Sequence, residues 1–218
     1  MTSYASCAAF AAALASANAN GWAPLDIPLQ TCLGYALDQG MEAVPTRPGQ
    51  DLIAELRPTS PSAAHPASLS ALVGFGPMPL HTDGAALRQP PDFVLLEALH
   101  AEPGEDTLLF ACDTSELGDD ARHGVFSVAG SGAPFSAHIV DAAGNLRFDL
   151  GCMQPRDRMA QRAASQLAGF AAAAHRHDWL SSSHAVLIID NRKVLHGRSA
   201  AATASSRTLR RLMIRVPK

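Results

Sequence analysis

The stretch FVLLEALHAEPGEDTLLFAC, residues 93–112, holds two short apolar runs, Phe93–Leu99 and Thr107–Cys112, separated by Pro103-Gly104. Runs of this length bounded by turn residues read as β-strands. The pattern continues outward. Upstream, Ser68–Leu80 leads into His81. Downstream come Val125–Val128, Ala137–Val140, Leu146–Phe148, Ala185–Asp190 and Thr208–Val216, with turns at Pro90-Pro91, 130–134 and Gly144-Asn145. Closely spaced strands with turns between them predict a sandwich or barrel.

One helix interrupts the strands. Pro155 suits a first helical position, and Met159, Ala163, Leu167 and Phe170 follow at helical spacing. The reading is an amphipathic helix over 155–177, packed by its Met and Phe onto the outside of the sheets. Strands first, a helix late and two more strands give a mainly β jelly-roll with flanking helices. The Pro- and Ser-rich segment 44–68 reads as loop with one short helix at Asp51–Leu56. Tyr4–Ala19 reads as an Ala-rich surface helix ending near Asn20-Gly21. No Lys or Arg precedes Arg47, so the positive region of a secretory signal is missing.

The 218 residues fit one domain, with 1–69 as a helical and loop region packed on a core formed by 70–218. Apolar residues are 47% and charged residues 17%, which excludes a disordered chain. A net charge of −3 without a basic run argues against nucleic acid as a partner, and no long apolar run predicts a membrane span. Cys7, Cys32, Cys112 and Cys152 form no CxxC pair and read as reduced thiols of a cytoplasmic protein.

Three groups of residues carry chemistry. His81-Thr82-Asp83 sits at a strand end, where alternate side chains point the same way, so an imidazole and a carboxylate can converge. With nine His and 20 acidic residues, roughly one such pair arises by chance, so the motif alone decides little. A short connection after Asp190 delivers His196. Read alone, His196 is an ordinary surface histidine; read with the first pair, it completes two His and one carboxylate, a set that holds one face of Fe(II). On the last strand Arg207, Arg211 and Arg215 share one parity and Arg210 takes the other. They are either a solvated edge that guards against aggregation or a buried guanidinium that grips a carboxylate with two prongs.

Taken together, these residues resemble the taurine dioxygenase / clavaminate synthase-like branch of the Fe(II)/2-oxoglutarate oxygenases. The resemblance rests on His81-Thr82-Asp83, Ile189-Asp190-Asn191-Arg192, His196-Gly197-Arg198, and two arginines, Arg207 and Arg211, eleven and fifteen residues after His196. It covers roughly 70–216. It implies a double-stranded β-helix of the cupin-like kind. His81, Asp83 and His196 would be the metal ligands, and Fe(II), 2-oxoglutarate and O2 the reacting set. The second arginine, Arg211, would bind the far carboxylate of 2-oxoglutarate, with Thr107 and with Arg207 beside it. The implied reaction releases succinate and CO2 while hydroxylating, desaturating or cyclising an unactivated C–H. A free or carrier-bound amino acid is the expected substrate.

Two turns depart from the family pattern, Pro103-Gly104-Glu105 and Ser183-His184. The segment 113–145, where the family often carries a lid, is brief. The pocket is then open or completed by a second subunit, so a homo-oligomer stays in view. Two rivals are a non-catalytic jelly-roll that binds a metal or ligand, and a zinc hydrolase.

Overall fold

The computed structural model describes residues 4–66, 68–130, 132–182 and 186–217. It is mainly β, with thirteen strands in antiparallel sheets among the described residues. The expected departure at Ser183-His184 and the first residue of the Ala185–Asp190 run lie outside the described residues.

The larger sheet has the order β1 (Trp22–Leu25), β11 (Val186–Asp190), β5 (Phe93–His100), β13 (Thr208–Arg215), β2 (Glu42–Ala43), and β3 (Ile53–Leu56) also pairs with β13. The smaller sheet runs β10 (His175–His177), β6 (Thr107–Ala111), β12 (Val194–Arg198), β4 (Met78–His81). A third, three-stranded sheet runs β8 (Phe135–Ala137), β7 (Phe126–Val128), β9 (Met153–Pro155). The chain passes from the larger sheet to the smaller between β5 and β6, again between β11 and β12, and returns between β12 and β13. This is the winding of a jelly-roll.

The larger sheet is buried on both faces, which is why β5 and β11 read as continuous apolar runs instead of alternating ones. Phe93, Leu95, Val186, Ile188, Leu212 and Ile214 pack outward on α1 (Tyr4–Asn20) and α2 (Leu29–Asp38). Val94, Leu96, Leu187, Ile189, Leu209 and Met213 point inward and meet Leu109 and Val194 of the smaller sheet. A third apolar cluster joins Leu80 and Leu195 to Phe126, Phe148, Ala163 and Leu167, under α4 (Gly118–His123) and α5 (Arg158–Gly169).

Several expectations are corrected. Asp51–Leu56 holds no helix; Ile53–Leu56 is strand β3, aligned with Leu209–Leu212 of β13. The region 1–69 is thus more than a helical cover, because β1, β2 and β3 belong to the larger sheet. The helix predicted over 155–177 is shorter. Pro155 closes β9, where it pairs with Phe126, and α5 starts after Asp157, whose carboxylate accepts from the Ala160 N–H at 2.7 Å. That cap supplies an acceptor which Pro155 cannot, and it sets the boundary. After Gly169 one 3-10 turn, Phe170–Ala173, leads into β10, which is extended because it pairs with β6. Four strands follow α5 where two were expected. Leu146–Phe148 forms no strand, only a single bridge from Leu146 to Val140. The Ser68–Leu80 run divides into α3 (Leu69–Val73) and β4.

Candidate metal centre

His81 ends β4 and pairs in register with His196 of β12, so their rings lie side by side with centroids 4.7 Å apart. Thr82, fully buried, is tied down from both directions: its N–H donates to the Phe148 carbonyl (2.7 Å), and its Oγ1 accepts from the Phe148 N–H (3.0 Å). With the middle residue held, His81 and Asp83 face the same side. Asn191 fastens the turn that follows. Its Oδ1 accepts from the Asp83 N–H (2.8 Å), and its Nδ2 donates to the carbonyls of Asp83 and Pro91. Gly84 takes φ +67°, where a Cβ would stand 2.5 Å from Pro91 Cδ, so the turn needs glycine for both shape and room.

One ligand atom from each of His81, Asp83 and His196 lies within 4.8 Å of the other two, and among the described residues this is the one such cluster. His196 Nε2 is 3.3 Å from Asp83 Oδ2. His81 Nδ1 lies 2.9 Å from the Pro79 carbonyl, a pure acceptor, so Nδ1 carries the proton and Nε2 keeps its lone pair. Burial, and after it the neighbouring His196, push the His81 imidazole below its ordinary 6.5, toward the neutral form that binds metals. Burial pushes the Asp83 carboxyl up, but Arg211 and the two imidazoles outweigh it and hold the group well below the usual carboxylate range. Two imidazoles, one carboxylate and a His81 tautomer fixed by the Pro79 carbonyl fit a divalent metal, and the donor set suits Fe(II). His196 was expected on a short connection; it lies on β12, and the strand pairing is what brings it to His81.

The arginines separate by parity. Arg210 points outward and binds Glu97 (Nε–Oε2 2.7 Å), whose other oxygen accepts from the Leu29 N–H at the start of α2. Arg207 and Arg211 point between the sheets. Arg211, expected to share the far carboxylate of 2-oxoglutarate with Thr107, makes its own hydrogen bonds elsewhere. Arg211 donates to Asp83 Oδ1 (2.5 Å) and to Thr46 Oγ1 (2.8 Å). Arg207 is the arginine at Thr107: its Nη2 donates to Thr107 Oγ1 (3.2 Å) and its Nε to the Glu105 carbonyl (3.0 Å). Burial, with Arg198 nearby, lowers the Arg207 guanidinium to about 10. Thr107 lies opposite Arg198, two residues beyond His196 on β12, which is about 7 Å along the strand. The solvated-edge reading therefore fails for Arg207 and holds in part for Arg215, which ties β13 to Gln89 and Glu42.

No family model and no curated protein matches the sequence. Solved structures do. Asparagine oxygenase in complex with Fe(II), 2S,3S-3-hydroxyasparagine and succinate is 20% identical and matches with TM-score 0.70 over 97% of this chain and 79% of its own. PvcB from Pseudomonas aeruginosa is 19% identical, with TM-score 0.64 over 95% and 80%. The non-heme iron oxygenase OrfP in complex with Fe and alpha-ketoglutaric acid is 20% identical, with TM-score 0.54 over 74% and 56%.

The chain has the fold of these oxygenases.

Within that fold several neighbours of the triad carry little signal in the sequence. Thr46 sits in a Pro-rich segment without periodicity. Trp179, 7% exposed, donates its indole N–H to Thr107 Oγ1 at 2.9 Å; a buried indole needs a partner, but nothing in sequence says which. Asp149 follows an apolar run and accepts from the Gly151 N–H (2.6 Å). Burial raises its carboxyl, and His81 is near enough to draw it back down. Arg147 spans to the carbonyls of Ala85, Leu87 and Arg88, bracing the segment that follows Asp83. Arg198 is spent on the carbonyls of Gly74, Gly76 and Ser199. Among the described residues no helix is long and apolar enough to cross a membrane.

Proposed function

We propose that this chain is an Fe(II)- and 2-oxoglutarate-dependent dioxygenase. It hydroxylates, desaturates or cyclises an unactivated C–H of a small, amino-acid-like molecule and releases succinate and CO2. One observation carries the reading: His81, Asp83 and His196 converge, and the buried Arg207–Thr107 pair lies two residues along the strand register from His196, about 7 Å, near the length of a short dicarboxylate.

In this reading His81, His196 and Asp83 hold the iron. The bound metal, with 2-oxoglutarate and O2, supplies the oxidising chemistry. The chain supplies binding and geometry. Arg211 occupies Asp83 Oδ1 and so leaves Oδ2, the oxygen facing His196, for the metal. Arg207 and Thr107 take the far carboxylate, a role the sequence reading assigned chiefly to Arg211. The apolar walls around Leu109, Leu209 and Met213 exclude water from the space between. Arg207→Leu is expected to raise the 2-oxoglutarate requirement at least tenfold, as loss of charge-assisted bonds implies. Arg211→Leu is expected to weaken the hold on iron more than the hold on 2-oxoglutarate.

An amino-acid-like substrate is supported in two ways. Asp149 offers a partly buried carboxylate near His81, suited to an ammonium group. Structures of like fold are asparagine oxygenase with a hydroxyasparagine and OrfP with (3S)-hydroxy-L-Arg. Free thiols at Cys7, Cys32, Cys112 and Cys152 support a reducing, cytoplasmic setting for one domain spanning 1–218. The deciding experiment is anaerobic titration of Fe(II) and 2-oxoglutarate, read as a visible charge-transfer band, then a screen of free and carrier-bound amino acids for stimulated succinate release. A band without succinate under O2 would favour the non-catalytic binder. No band, with hydrolysis supported by zinc, would favour the hydrolase.

A further inference from the structure

We infer that Trp179 is a positioning residue that turns the Thr107 hydroxyl into an obligate donor for the far carboxylate of 2-oxoglutarate. The inference rests on the function proposed above. A threonine hydroxyl offers one proton and two acceptor positions. At Thr107 Oγ1 both acceptor positions are engaged, by the indole N–H of Trp179 at 2.9 Å and by Arg207 Nη2 at 3.2 Å. Neither partner can accept in return, since indole and guanidinium are donors only. The Thr107 O–H therefore has to point its proton away from both, and no acceptor among the described residues takes it. Thr107 is 2% exposed, so bulk water is not the acceptor either. A buried hydroxyl forced to donate, beside a buried guanidinium, is complementary to an acceptor, to an anionic carboxylate most strongly, and is closed to donors and cations. The indole is itself held: Trp179 is 7% exposed and meets the edge of the His177 ring at 4.5 Å between centroids.

Without Trp179, the Thr107 hydroxyl gains a free lone pair and can rotate, so part of its donor character is lost. The test uses the full chain with Fe(II), without O2, and measures the Kd of 2-oxoglutarate by calorimetry. Trp179→Phe keeps the aromatic packing and removes the donor; a three- to tenfold weaker Kd is expected. Thr107→Val should weaken binding about tenfold or more, the range for a hydrogen bond to a charged group. The double variant should be no weaker than Thr107→Val alone, because Trp179 acts only through that hydroxyl. Pyruvate, which lacks the far carboxylate, should bind wild type and Trp179→Phe equally, and Fe(II) affinity alone should not move. Equal 2-oxoglutarate affinity in wild type and Trp179→Phe, or fully additive losses in the double variant, overturns the inference and leaves the dioxygenase reading standing. Absence of 2-oxoglutarate binding to wild type overturns both. Should Trp179→Phe not fold, Trp22→Phe leaves Trp179 as the sole tryptophan. Its emission should then change on saturation with 2-oxoglutarate, and an unmoved spectrum counts against the inference.

Discussion

Asp83 holds one guanidinium, Arg211, and one imidazole, His196, and shows how much one carboxylate decides. Its side chain is 8% exposed and that of Arg211 12%, so each depends on the other for charge compensation. Asp83→Ala is expected to abolish Fe(II) binding, measured by metal titration. In the metal-free protein it should also cost about 3 kcal/mol in a denaturant melt, because it leaves Arg211 buried without its anion. Asp83→Ala/Arg211→Leu should recover much of that stability and none of the iron binding. Near-normal iron binding by Asp83→Ala would refute the metal assignment. At this scale His81 and Asp83 were legible as a pair because alternate side chains at a strand end face one side, whereas His196 was legible only as the residue that completes them. The parity of Arg207, Arg211 and Arg210 was legible for the same reason, and the outward Arg210 obeys it. The partners of Arg207 and Arg211 were not legible, since both point inward and only the crossing of the sheets says which of them reaches Thr107.

Strands and caps act one level up. Gly197 lies between His196 and Arg198 on β12, and a Cβ there would stand 2.6 Å from the Met78 carbonyl oxygen and 3.2 Å from that of Pro79. Backbone atoms cannot move aside cheaply. Gly197→Ala should push β12 from β4 at a cost of about 1–3 kcal/mol and weaken iron binding further by separating His196 from His81. Unchanged metal affinity would show that the pairing does not position the site. The start of α5 gives a pH prediction. Hydrogen bonds from the Ala160 and Val125 N–H groups hold the Asp157 carboxyl below its ordinary 3.8. A depressed folded value means the contribution is present above 3.8 and is lost as pH falls through the folded value. Asp157→Ala should therefore melt below wild type at pH 7, and the two melting temperatures should converge in acid. A gap that stays constant with pH would count against the cap. The sequence pattern placed this helix but missed its ends. Apolar spacing runs on through Phe170, whereas the true limits come from a side-chain cap and from the pairing of β10 with β6.

For the molecule as a whole, the first 57 residues are the surprise. They lie outside the stretch that carried the resemblance, yet α1, α2 and three strands cover and extend the larger sheet. Phe10 is fully buried against that sheet, and Phe10→Ala should cost about 3–5 kcal/mol, read from the denaturant midpoint. Iron affinity of the folded fraction should stay unchanged, because α1 packs on the face away from the triad. A normal midpoint would mean the helix is dispensable.

Composition, turn residues and the lengths of the apolar runs were enough to specify a mainly β jelly-roll, and side-chain period set His81 and Asp83 on one side and separated Arg210 from Arg207 and Arg211. These are local properties, set by neighbours along the chain. Tertiary structure alone decided that Ile53–Leu56 is a strand, that Arg207 meets Thr107, that Arg211 meets Asp83, and that Trp179 stands behind the hydroxyl. Each of those contacts joins segments roughly 70–160 residues apart, and their geometry depends on how two twisted sheets cross, which no local spacing encodes.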